Sequence, residues 1–313
     1  MFNFLKKRKL KDLPNTTSIA FGLPQVQQVR QLLATRNYAA IQSLYESLKN
    51  DERSLLVEGV AHHEDTIEQV LAWHRQEEES WLANLFAGVA YTFIAWRERT
   101  AQYAEYLTDE QIEGFSDNIL AAKRLLTIAS RMQPDEAEIY ARLIRVNMGV
   151  SEKEEAEECF ETLVSLDPNH LMGHMNMVRL LAPKWLGSME EMRDFAYQFQ
   201  HPQKDDLRYT VYLIFLVENF LALVDQDVYT AEKIFKKAYK KTVKTTYTQF
   251  DVPNIPSLER YHLHNYFSYV LYLLDENKSR DQEIDLVGEH LTYIPWAYAE
   301  VFGQKNLKMI KYS

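Results

Sequence analysis

The chain has 313 residues, enough for one large domain or two ordinary ones, and 46% of them are hydrophobic, enough for a sizeable core. Its 35 Lys+Arg against 45 Asp+Glu give a formal net charge of -10, which argues against a surface built to neutralise nucleic-acid phosphates and suits neutral or basic partners. One cysteine, Cys159, excludes an intrachain disulfide and a zinc set of CxxC type, so a reducing cytoplasm is the expected setting.

The nine glycines exclude more. The closest two, Gly173 and Gly187, are fourteen residues apart. Dinucleotide fingerprints and P-loops need two or three glycines within about six positions, because backbone must approach phosphate without a Cβ in the way. A nucleophile elbow of GxSxG type fails on the same spacing. No enzymatic activity and no cofactor are expected.

At the start, Phe2, Phe4 and Leu5 precede Lys6-Lys7-Arg8-Lys9, the reverse of a secretory signal, so residues 1–20 read as a basic flexible tail. Residues 21–313 read as a single helical-repeat domain. Val26, Val29, Leu32 and Leu33 form one helical stripe, and Ile41, Leu44, Tyr45 and Leu48 form the next after a break at Arg36-Asn37, the pattern of a helical hairpin. Ile67, Val70, Leu71 and His74 continue the period. The apolar runs over 82–96 and 209–224 fall short of the ~20 residues that a bilayer span needs and read as buried helices. Thr108/Gln111, Ser151/Glu154 and Ser188/Glu191 have capping-box spacing and mark three helix starts. No alternating run is long enough for a sheet.

Gln133-Pro134 and Asp167-Pro168 stand thirty-four residues apart, the TPR period. Before Pro168, Ala156 and Phe160 take the small and aromatic places of a second TPR helix, and Tyr140 and Leu143 take the bulky places of a first. One unit earlier, Ala122, Leu126, Ala129 and Pro134 repeat the arrangement, and Ala231, Phe235 and Ala238 offer another second helix. The expected fold is therefore all-α, a TPR-like helical-repeat α-solenoid of antiparallel hairpins. Its degenerate TPR-like core spans about 103–200 and its C-terminal helical section about 204–313.

After Leu181 the repeat breaks at Pro183-Lys184-Trp185-Leu186-Gly187-Ser188, followed by Met189-Glu-Glu-Met192 and Phe195-Ala196. This segment resembles the signature of an uncharacterised family of bacterial TPR-like proteins, in which Pro-Lys/Arg-Trp-Gly-Gly-Ser precedes Glu-x-Met. The likeness spans roughly 73–199, and Leu186 departs from it by replacing the first glycine. The resemblance implies a bacterial, α-helical repeat protein and contributes no catalytic residues. Read physically, Pro183 stops a helix, Trp185 fills a corner between units, Gly187 turns, and Ser188 with Glu191 caps the next helix.

In a TPR array the first helices line the concave face. Glu138, Arg145 and Met148 from one unit and Met172, Met175 and Arg179 from the next are thereby expected to bind a partner, since methionine and arginine are favoured at protein contacts. The expected function is non-enzymatic binding of another protein, in a narrower form a bacterial immunity protein that sequesters a cognate toxin, with no nucleic-acid partner and no stable membrane insertion. The alternative is a metal-binding protein or enzyme built on His170, His174 and Met172, Met175 and Met177, because two histidines four apart share a helix face. Filling of a packed core by these residues competes with that reading. Two charged faces stand out besides. Lys233, Lys236, Lys237, Lys240, Lys241 and Lys244 form a basic stripe, and residues 152–161 carry six glutamates and one lysine.

Overall fold

Side-chain caps mark the starts of several helices, among them those that begin after Asn37, Thr108 and Ser188. The computed structural model describes residues 19–298 apart from 100–107, 204, 225–227, 251–253 and 256. Among these residues the chain is all-α, with no strand. The helices are α1 (Pro24–Ala34), α2 (Tyr38–Ser47), α3 (Asn50–Ala61), α4 (Glu64–Gln76), α5 (Trp81–Arg99), α6 (Asp109–Met132), α7 (Ala137–Val150) and α8 (Lys153–Leu166). They continue with α9 (Leu171–Leu180), α10 (Met189–Tyr197), α11 (Tyr209–Val224), α12 (Val228–Gln249), α13 (Arg260–Leu273), α14 (Asn277–Val287) and the short α15 (Tyr293–Trp296). No helix among the described residues is long and apolar enough to cross a membrane.

The caps follow the sequence at two of three expected places. Thr108 and Gln111 form the reciprocal capping box of α6. Ser188 Oγ accepts the Glu191 N–H at 3.1 Å, while the Glu191 carboxylate accepts from the Ser188 hydroxyl and from Lys153. Ser151 does not cap α8. It sits in the left-handed region, φ 63°, and closes α7, with the Glu152 N–H reaching back to the Asn147 carbonyl at 2.9 Å. This is a Schellman closure, and a turn this tight takes Ser151 for α7 and leaves Glu152 at the start of α8.

The thirty-four-residue interval marks real helix ends. α6 stops just before Pro134 and α8 just before Pro168, and a third proline at the same interval, Pro202, follows α10. Each pair α5/α6, α7/α8, α9/α10, α11/α12 and α13/α14 packs as a hairpin. The first helices form an inner layer, with α3 against α5 and α7, α7 against α9, α9 against α11 and α11 against α13. Inner helices are buried nearly all round, as on α11 and α13, whereas α8 and α12 bury only a stripe.

Small residues permit the close approaches. A Cβ on Gly173 would stand 2.3 Å from Leu163, so glycine lets α9 close on α8. Gly187 is required by proximity and not by a left-handed φ, since its Cβ would stand 2.3 Å from the Leu181 carbonyl oxygen. Leu186 also lies outside the left-handed region, so its replacement of a glycine strains nothing.

The layer curls until its ends meet. Phe21 packs on Tyr261 and His262 of α13 and on His290, with ring centroids 5.4, 4.8 and 6.1 Å apart. Ser257, just before α13, donates to Asp51 on α3. Most of the expected tail lies outside the described residues, and Ala20, at its end, is fully buried.

Ala156 is 0% exposed, between α7 and its partner helix. Ala156→Leu is expected to overpack that contact and cost about 1–3 kcal/mol, read as a lower urea midpoint. An unchanged midpoint would show that the α7/α8 contact tolerates bulk.

Candidate functional site: an ionic interior with an acidic mouth

The inner helices run in one direction, so their N-terminal ends gather at one end of the interior. Near that end, Glu138 of α7 is 1% exposed. Its Oε1 accepts from Arg142 Nε at 2.5 Å, one helical turn on, and its Oε2 accepts from the Ser54 hydroxyl of α3. His170 Nε2 lies 3.2 Å from the same Oε2. His170 Nδ1 accepts the Gly173 N–H, so the neutral ring carries its proton on Nε2, facing the carboxylate. Arg142 in turn donates to Glu58 at 2.7 Å and to the Ser54 carbonyl at 3.0 Å. Burial alone would raise the Glu138 pKa, but Arg142, His170 and Ser54 outweigh it and hold the carboxylate below its usual range. Glu58 and Glu138 likewise hold Arg142 charged against its burial.

In front of Ser54 and His170 opens a cleft of about 460 Å³, walled by the N-terminal ends of α3, α9, α11 and α13. Its acids mostly have local duties. Asp167 accepts the Asn169 N–H, and Asp206 accepts the Arg208 N–H and grips the Arg208 guanidinium with both oxygens at 3.0 Å. Carboxylates are favoured at helix N-termini, where unpaired N–H groups carry partial positive charge. Glu259 is different. It is 4% exposed, it lines the cleft, and its carboxyl has no hydrogen-bond or ion-pair partner among the described residues. Burial first, then Asp51, Glu138, Glu58 and Asp167, raise its pKa well above the carboxylate range. A proton there keeps the crowded negative charge tolerable.

The residues expected on an open concave face lie elsewhere. Glu138, Met148, Met172 and Met175 are at most 4% exposed, so none presents a surface to another protein. The cause is the curl, since α3 and α13 cover the face that a shallower stack would leave open. Arg145 and Arg179 are half-buried. The Arg145 guanidinium stacks over Trp96 at 4.1 Å and has the Met148 sulfur at 3.8 Å as its polar neighbour. Burial, with Arg179 nearby, lowers its pKa to about 9. Arg179 donates to Asn176 at 3.4 Å and to the Tyr266 hydroxyl at 3.3 Å. Ser54, Glu58 and Arg142 were not singled out by sequence, because their partners are up to 88 residues away in the chain, and neither was Glu259, whose burial only the assembled fold creates.

His170 and His174 do not converge. His174 Nδ1 faces the His170 carbonyl at 2.9 Å, and its ring sits edge-on to Phe160 and Phe199, with burial lowering its pKa to about 4. Met175 and Met177 belong to the hydrophobic core, and Met172 is buried as well. Among the described residues no three His, Cys, Asp or Glu side chains gather as metal ligands would. His264, on α13, is bound to Glu283, which also accepts from Tyr247, in a buried and closed trio.

The lysine stripe divides in two. Lys236 pairs with Glu232 and Asp275, and Lys240 and Lys244 pair with Glu276, clamping α12 to the α13–α14 turn. Lys233, Lys237 and Lys241 are exposed. On α8, Glu152 pairs with Lys123, while Glu154, Glu155, Glu158 and Glu161 face solvent.

Three substitutions test the interior electrostatics. Arg142→Met leaves Glu138 uncompensated and is expected to cost about 3–5 kcal/mol at pH 7 in urea unfolding, whereas Glu138→Leu with Arg142→Met restores most of the loss. The lowered pKa of Glu138 makes its contribution intact above its unfolded value and lost as pH falls through the native one, so the single-variant deficit shrinks under acid conditions. Glu259 has the opposite sign. Its raised pKa means stability is lost as pH rises above the unfolded value, about 4.3. Glu259→Gln is therefore expected to stabilise at neutral pH and to have no effect below about pH 4. Equal effects at both pH values would show that Glu259 ionises normally.

Comparison of the chain with known protein families, characterised proteins and solved structures gives no match, so the functional reading rests on this geometry.

Proposed function

We propose that the chain is a non-enzymatic, TPR-like helical-repeat protein of the cytoplasm, whose acidic cleft captures a basic side chain of another protein. The observation that carries this reading is Glu259, a buried residue whose carboxyl has no partner among the described residues and which lines a cleft shared with Asp51, Asp167, Asp205 and Asp206. The one arginine in its lining, Arg208, is already held by Asp206. A lysine or arginine entering the cleft would replace the Glu259 proton and gain charge-assisted hydrogen bonds in a partly dry setting. A volume of about 460 Å³ suits one or two side chains and not a docked helix, so the contact is a point anchor on a protruding loop or terminus. The net charge of -10 supports it by steering basic partners toward the mouth. In its narrowest form the partner is a basic toxin of the same cell, held inactive as an immunity protein would hold it.

The experiment is affinity purification from the native host with mass spectrometry, using the wild-type chain and Asp51→Asn with Asp205→Asn. Asparagine tolerates the left-handed backbone at Asp205, φ 66°, so the pair removes charge without straining the turn. The double variant is expected to lose the captured partner at 0.15 M salt and to keep its thermal midpoint. If the partner stays with that variant but is lost from Lys237→Glu with Lys241→Glu, the contact is on the outer face of α12 and the cleft reading falls. For the toxin form, co-expression with the captured protein must restore growth.

A further inference from the structure

The C-terminal ends of α5, α7 and α9 meet at the other end of the interior, and three arginines gather there. Arg145 stacks over Trp96 at 4.1 Å, and Arg99 lies 4.7 Å above Trp185 and 5.6 Å from Trp96. The two indoles meet edge-on, with centroids 5.3 Å apart. Arg179 lies close enough for its charge to act on Arg145, and among the described residues it donates to the neutral Asn176 and Tyr266 oxygens. No carboxylate pairs with any of the three among the described residues. Glu58, the acid whose charge acts on both Arg145 and Arg179, is engaged with Arg142. Trp96 Nε1 adds another donor, buried and without an acceptor among the described residues.

Known local effects do not balance this charge. Helix C-termini favour cations, but each offers only about half an elementary charge, and ring faces supply a weaker attraction still. Partly desolvated guanidinium groups are stabilised by a paired anion, and like charges side by side increase that gain. All three arginines are half-buried, so solvent reaches them. The shape of the demand is specific. Several N–H donors in planar forks, beside flat indole walls, match a group that presents two or more oxygens at once.

We infer that Arg99, Arg145 and Arg179, with Trp96 Nε1, form a binding site for a small oxyanion, the phosphate or carboxylate group of a ligand. This site is separate from the acidic cleft and does not depend on the partner-binding reading. The inner helices place the two at opposite ends, so a ligand at one does not exclude a ligand at the other.

Tryptophan emission reads the site directly, because Trp96 and Trp185 form its walls. The full chain is titrated with inorganic phosphate and, separately, with citrate, each against sodium chloride at matched ionic strength, following emission and thermal midpoint. A saturable emission change and a raised midpoint are expected with at least one anion, with apparent affinity at least tenfold weaker in Arg145→Gln. Response to phosphate alone assigns a phosphate ligand, and response to citrate alone assigns a carboxylate. Arg99→Gln, at the outer edge of the cluster, makes the same test if Arg145→Gln does not fold. No saturable response to either anion, or an undiminished response in the folded variant, overturns the site.

Discussion

The inner helices point the same way, and the curl of the stack brings their ends together. Every α-helix carries unpaired N–H groups at its start and unpaired carbonyls at its end. When parallel helices converge, these partial charges add at two places instead of being spread over a surface. The charged side chains follow. Asp51, Asp167, Asp206 and Glu259 gather at the starts, Arg99, Arg145 and Arg179 toward the ends, and the Glu138–Arg142–Glu58 junction lies between them. The interior is thus polar along its length, with an acidic mouth and a cationic one.

Burying that junction is costly in itself, because desolvating two or three ions uses up most of their mutual attraction. What the junction fixes is register. Arg142 binds both Glu58 and the Ser54 carbonyl of α3, and Ser54 binds Glu138 of α7, so one helical turn of each element is locked against the other. Apolar packing alone would tolerate a slide of α3 along α7. These ionic contacts do not, since a shift of one turn would strand a charge. The ring contacts of Phe21 with α13 then close the remaining gap and hide the inner face.

Closure changes what kind of binding the molecule can do. An open concave stack recognises a peptide or helix along a broad groove. Here that groove is filled by Met148, Met172, Met175 and the buried ionic pairs, which leaves the two ends as the places for the proposed recognition. Recognition at such a mouth depends on a few charged groups in a partly dry setting, where each is worth more than on an open surface. It favours small, charged anchors over extended apolar ones.

Local signals were legible in the sequence where their physics is local. Prolines at 134 and 168 stop helices because proline cannot continue the backbone ladder, and they do so here. The Thr108 and Ser188 caps, the burial of Ala156 and the apolar runs that became α5 and α11 are likewise fixed by residues a few positions apart. Tertiary structure alone decided how far the stack curls, because that depends on the summed shape of six inner helices and on contacts between residues as distant as Asp51 and Ser257. The same curl decided which of Glu138, Arg145, Met148, Met172, Met175 and Arg179 stayed within reach of solvent. It also decided that Glu259, an ordinary acid at a helix start in the sequence, would stand buried and unpaired. Helical period fixes which face of a helix turns inward, whereas only the closing of the stack determines whether water remains there.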